Sequence, residues 1–147
     1  MVEKPNEFGK LSLIELSDFE TVNQIELPKD YKDFQLTYNG GKPIKNINPQ
    51  PQTIVKYILG IHNGPYYASL YKHIDMFTHR IPFSTLPVAC DGFGNLFLMS
   101  LHPESFGQIY FWDHEGEPEV QDGHYTGNCR FTAHSFTGFL EEMEGTQ

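Results

Sequence analysis

Cysteine is nearly absent from this sequence: the two residues, Cys90 and Cys129, lie far apart and outside any C-x-x-C spacing. Both stand in apolar, strand-like contexts, so buried free thiols are the expectation. A disulfide would call for a secreted protein, and the first residues, MVEKPNEFG, carry no apolar signal core. Long hydrophobic runs are also missing. The longest charge-free stretch, Tyr57 to Tyr71, is interrupted by His62-Asn63-Gly64-Pro65, which argues against a membrane span. The expected location is therefore the cytoplasm.

Basic residues are scarce as well, ten against nineteen acids, for a net charge of −9. A field of that sign repels phosphate backbones, so direct nucleic-acid binding is not expected; it favours basic protein partners. The imbalance is local. From Leu101 to Gln147 there are nine acids (Glu104, Asp113, Glu115, Glu117, Glu119, Asp122, Glu141, Glu142, Glu144) and one base, Arg130, leaving the first hundred residues close to neutral. Five of those acids, Asp113, Glu115, Glu117, Glu119 and Asp122, fall in one short stretch and form a candidate partner-binding face; a solvated loop is the plainer reading of them.

What the sequence has in quantity is aromatic residues, 14%, within 39% hydrophobics. A chain of 147 residues with that composition can bury roughly two-thirds of its unfolded surface, so a core needs no metal or disulfide. The length suits one domain, 1–147, with its core at about 11–143.

Periodicity places the elements. Residues 1–10 read as a loose terminus, and Leu11–Leu16 stays open between strand and helix. Ser17-Asp18-Phe19-Glu20 has the form of a capping box, predicting a short helix that buries Phe19 and Val22. Leu27, Tyr31, Phe34 and Tyr38 recur at helical spacing, with Pro28 at the first helical position and Asn39-Gly40-Gly41 as the stop. Thr53–Ile61 reads as a strand, and Tyr66–His79 leans towards a helix through Leu70, Ile74 and Phe77. Pro82 and Pro87 bracket a loop. Leu86–Cys90, a turn over Asp91–Asn95, and Leu96–Leu101 make a hairpin. Gln108–Asp113 and Asn128–Thr132 are further strands, and Phe136, Phe139, Leu140 and Met143 mark an amphipathic C-terminal helix capped by Ser135. The fold class is α+β: an antiparallel sheet of five or six strands packed with N-terminal helices and a C-terminal helix.

Chemistry-bearing motifs are thin. Asp113-His114-Glu115 has the residue types of a general base or metal site, but on a strand His114 would face away from both carboxylates. The histidines, His62, His73, His79, His102, His114, His124 and His134, form no H-x-x-x-H or H-E-x-x-H pattern, so no metal is expected. No serine sits in G-x-S-x-G, and the glycine-rich pieces NGGKP and DGFGN lack the context of a phosphate cradle. Trp112 reads as core; Tyr66, Tyr67 and Tyr71 fit either an interface or the interior.

Four blocks, in order, resemble the SUKH superfamily. LPKDYKDFQLTYNGGKP, preceded by Phe19-Glu20, is similar to its Leu-Pro, Tyr-anchored helix and Asn-Gly-Gly end. VACDGFGNLFLMSL is similar to its central hairpin, GQIYFWDHE to the strand after it, and TAHSFTGFLEEM to its closing helix. Together they span about residues 19–143, while Pro43–Pro87 matches no sharp motif and is assigned no function. The resemblance marks Leu27, Pro28, Tyr31, Asn39, Gly40, Gly41, Asp91, Gly94, Asn95 and Trp112 as motif positions with a structural role. It implies a cofactor-free binding protein. Many bacterial members are immunity proteins that inhibit a cognate toxin, often a nuclease or deaminase; a yeast member regulates cell-wall glucan synthesis as a scaffold. A hydrolase using Asp91 or the Asp113-His114-Glu115 cluster is the alternative from another class.

Overall fold

In the computed structural model, which describes residues 1–117 and 126–145, four helices and six strands follow in the order α1 (Leu13–Asn23), α2 (Lys29–Tyr38), β1 (Ile47–Pro49), β2 (Gln52–Ile58), α3 (Leu70–Phe77), β3 (Thr85–Asp91), β4 (Leu96–Ser100), β5 (Ile109–Trp112), β6 (Cys129–Ala133) and α4 (Phe136–Glu142). All strands are antiparallel and lie side by side in chain order, so the sheet is a meander. The α+β class and the antiparallel sheet expected from the sequence are what the chain adopts.

The central strands are covered on both faces, and the sequence explains which residue goes where. Phe97 pairs across the ladder with Phe111, ring to ring at 5.3 Å, and Phe139 of α4 covers Phe97 at 4.9 Å. Tyr31 and Phe34 of α2 meet Phe136 of α4 edge-on at 5.0 and 5.1 Å, tying these two helices together. Alternation sends Leu96 and its partner Trp112 to the opposite face. There Phe77 of α3 meets Trp112 edge-on at 5.7 Å. Tyr31, Phe97, Trp112, Phe136 and Phe139 are among the largest fully buried side chains, and aromatic pairs of this geometry add roughly 0.5–1.5 kcal/mol each beyond the area they bury.

Several local expectations are corrected. The helix predicted from Ser17 starts five residues earlier, because S-x-x-E occurs twice and the first copy forms the cap. Ser12 N–H donates to Glu15 Oε1 and Glu15 N–H to Ser12 Oγ, both at 3.1 Å. Glu20 instead reaches forward to accept Leu27 N–H at 2.9 Å. With Leu16 and Phe19 on the inner face, Val22 rotates outward and is 80% exposed. Pro28 is the N-cap of α2, one residue before the first helical position.

The terminus is not loose either. Val2 is buried and bridges to Pro43, and Glu3 N–H donates to the Lys42 carbonyl. Pro87 lies inside β3, not at a loop boundary: the register shifts between Pro87 and Ala89, a bulge that accommodates a residue without an N–H. The short edge strand β1 has no sequence signal, since Asn48 and Pro49 carry turn chemistry.

Candidate functional site

The motif residues Asn39, Gly40 and Gly41 build the support. Asn39 ends α2 in the left-handed conformation, at φ 48°. Its side chain donates to the Gly9 and Ile61 carbonyls and accepts Ile61 N–H. Gly40 and Gly41 follow with φ of 74° and 132°, which glycine adopts without strain. Gly41 and Ile58 then exchange two backbone hydrogen bonds of 2.8 Å. At this crossing the two chains nearly touch: a Cβ on Gly40 would stand 2.5 Å from Gly60 N. Gly60 passes the linkage on, donating to the Ala68 carbonyl and accepting Leu70 N–H at the start of α3. Ser69 then caps α3 and donates to the His62 carbonyl at 2.7 Å. Asn39-Gly40-Gly41 therefore fixes where α3 begins.

A second hub is the β3–β4 turn. Asp91 is buried, and its carboxylate accepts four hydrogen bonds: from Phe93 N–H, Asn95 N–H, the Asn95 side-chain amide and Thr53 Oγ1. Asn95 Oδ1 accepts His114 N–H at 3.1 Å, latching the next turn onto this one. Gly94, at φ 90°, allows the His114 ring to approach; a Cβ there would be 3.2 Å from it. Asp91, the first candidate for hydrolytic chemistry, has every lone pair engaged.

The second candidate, Asp113-His114-Glu115, is a turn. The strand ends at Trp112, and His114–Gly116 forms one turn of 3-10 helix with Asp113 Oδ1 accepting Glu115 N–H at 3.0 Å. Asn128 holds it from below, donating to the Asp113 carbonyl at 2.8 Å. Glu117 is committed elsewhere. It forms a two-point ion pair with Arg80 (Nε to Oε2 3.2 Å, Nη2 to Oε1 2.5 Å), while the guanidinium lies over Phe77 and Trp112 at 4.6 and 5.6 Å from the ring centroids. Of the predicted acidic face, Asp113 and Glu115 thus share one turn and Glu117 serves as its anchor; Glu119 and Asp122 lie outside the described residues. Among the described residues, no three His, Cys, Asp or Glu side chains converge as metal ligands.

Beside this turn is a cleft of about 410 Å3 between β2, α3 and the β3–β4 turn. Tyr57, Tyr66, Tyr67 and Met76 line it, with Asp91, Gly94 and Asn95 as the wall it shares with the acidic turn. Tyr57 and Tyr67 lie 5.2 Å apart, Tyr66 and Tyr67 5.9 Å, and Tyr66 is 63% exposed. His73 lies at its base, donating from Nδ1 to the Ser69 carbonyl at 3.0 Å; burial holds its basicity below the usual imidazole range. His62, outside the cleft against Phe8, accepts Gly64 N–H and is likewise lowered, first by burial and then by the charge of Lys72. Burial also pushes the Cys90 thiol up to about 12 and Cys129 to about 11, so both are unreactive, unpaired thiols. A larger groove of about 790 Å3 lies away from the motif residues, between the end of α1, α3 and the segment 81–87.

Most of the cleft comes from Pro43–Pro87, the segment without a motif. Tyr66 and Tyr67 were legible as an aromatic pair, but their exposure was not. Met76 and Lys56 carry no signal in sequence; only the placement of α3 against β2 makes them neighbours.

The class of protein so defined is an α+β chain whose meandering antiparallel sheet is clasped by helices from its two ends and whose motif residues hold turns together. The sequence matches the SMI1 / KNR4 family (SUKH-1) over residues 10–142, and the chain belongs to that family. It is similar to the SPbeta prophage-derived uncharacterized protein YokK of Bacillus subtilis (strain 168), 30% identical over 112 residues. That match covers 61% of this chain and 55% of the relative, so the likeness spans about half of the relative's length. Among the described residues no helix is long and apolar enough to cross a membrane.

Proposed function

We propose that this chain is a non-catalytic immunity protein that binds a cognate protein toxin and covers its active site. One observation carries the reading: the buried carboxylate of Asp91 is filled by hydrogen bonds from within the chain, while Tyr66, Tyr67 and Met76 beside it are exposed. Asp91 and Asn95 are consumed by the turn, and Arg80 and Glu117 by each other. Tyr57, Tyr66, Tyr67 and Met76 remain, beside the turn carrying Asp113 and Glu115. Interfaces are enriched in such residues at their centres and polar at their rims. Membership of the family supports a toxin as the partner. The acidic rim supports a basic one, such as a nuclease whose cleft ordinarily holds nucleic acid. The partner-binding face comprises the cleft and the Asp113–Glu115 turn, with Glu119 and Asp122 assigned to it from sequence.

Reversing Asp113→Lys and Glu115→Lys tests the electrostatic part. Against a toxin domain encoded beside the chain's gene, the association rate is expected to fall about ten-fold at low ionic strength, the difference shrinking as salt screens it. Stopped-flow or surface-plasmon measurements across a salt series read this directly. An unchanged rate and salt slope would remove the acidic turn from the interface.

A further inference from the structure

We propose that the tyrosine cleft is a cation anchor that receives an arginine side chain of the protein partner, with the guanidinium laid against the tyrosine rings that line the cleft. The proposal rests on the toxin-binding reading only for the identity of the partner. The chemistry of the cleft stands on its own geometry.

Three features favour a cation. The rings of Tyr57 and Tyr67 are tilted at 55° with centroids 5.2 Å apart, and Tyr66 continues the row; their faces carry the negative lobes that attract a cation placed over them. The wall of the cleft contains Asp91, a carboxylate only 6% exposed that forms no salt bridge among the described residues. Its hydrogen bonds come from neutral groups, which orient it without cancelling its charge. Its lone pairs are filled, so it acts on an incoming cation through its field. Finally, burial, and after it the carboxylate of Glu7, hold the Tyr57 phenol above its usual range, so the ring stays protonated and neutral.

The chain itself shows that arginine suits such surroundings. Arg80 rests on Phe77, whose ring also lines the cleft, and is fixed by a carboxylate beyond it. A guanidinium is planar and weakly hydrated, so it stacks at a lower desolvation cost than an ammonium. One resident group opposes the anchor. Lys56 lines the rim, its Cε close to Gly92, and in no salt bridge among the described residues. Its removal is therefore informative.

The experiment titrates N-acetyl-arginine methylamide into the full chain and follows tyrosine ring and backbone signals by two-dimensional NMR. The neutral isostere, N-acetyl-citrulline methylamide, is the control. Saturable shifts confined to Tyr57, Tyr66, Tyr67 and Asn95 are expected, with the citrulline probe about ten-fold weaker. Lys56→Gln should tighten binding about two-fold by removing a like charge. Tyr67→Leu should abolish the response while the remaining spectrum stays unchanged. Equal response to both probes, shifts outside the cleft, or no saturable shift would overturn the anchor. An unresponsive cleft in a chain that still neutralises its toxin would refute this inference alone. A responsive cleft in a chain that binds no toxin would refute the proposed function alone.

Discussion

Gly60→Ala is expected to destabilise the fold severely. A Cβ at this position would press into the Asn39 carbonyl, inside any allowed contact, and would stand 2.8 Å from His62 Cδ2. The Asn39 obstacle is backbone, and neither side can yield easily. Asn39 is held by its own side-chain bonds to Gly9 and Ile61, and Gly60 by backbone bonds to Ala68 and Leu70. Relieving the clash means separating α2 from the end of β2 or from the start of α3. A cost of at least about 4 kcal/mol follows, in the range reserved for such backbone conflicts, against a total stability of roughly 5–15 kcal/mol. Thermal unfolding should show a loss of about 10 °C or more. Gly145→Ala, with nothing within 4 Å of its Cβ, is the matched control and should be silent. A Gly60→Ala melting temperature within about 2 °C of the parent would show that the crossing relaxes cheaply.

The second large effect concerns binding. Tyr57→Ser combined with Tyr67→Ser should weaken toxin affinity by about a hundred- to a thousand-fold, as two central aromatic anchors of roughly 2 kcal/mol each would. Tyr67 is 43% exposed, whereas Tyr57 packs on the core, so the pair should cost about 1–3 kcal/mol of stability, too little to unfold the chain. The comparison variant is Leu13→Ser with Ile14→Ser on α1, where both residues are more than 70% exposed and far in sequence from the cleft. It should bind as the parent does. Calorimetric titration gives both constants; a tyrosine variant within about three-fold of the parent would place the interface elsewhere.

Much of the scaffold was readable from residues alone, for physical reasons. Helix α2 announces itself because Tyr31 and Phe34 must reach one core and Asn39-Gly40 must turn back. The β3–β4 hairpin is legible because Asp91 and Asn95 can satisfy a tight turn from their own side chains. The start of α1 was misread because Ser12 and Ser17 offer the same local pattern, and only tertiary contacts choose between them: Glu20 is needed by Leu27. Strand β1 was invisible, since its pairing with β2 overrides the turn chemistry of Asn48 and Pro49.

The candidate site was less legible than the scaffold. Net charge drew attention to the acidic stretch, but charge counting cannot reveal that Arg80, thirty-seven residues earlier, spends Glu117. The cleft is assembled from β2, α3 and the β3–β4 turn, and no local pattern encodes that juxtaposition.

As proposed, the chain inhibits by occupying its partner and changes no covalent bond. Titration of a fixed amount of purified toxin domain with purified chain tests it most directly. Inhibition should rise linearly to an end point at one equivalent, be the same after a minute or a day, and release unaltered toxin on denaturation. Progressive inactivation by a small fraction of an equivalent, or a toxin of changed mass, would mean that the chain turns over, and the account would be wrong.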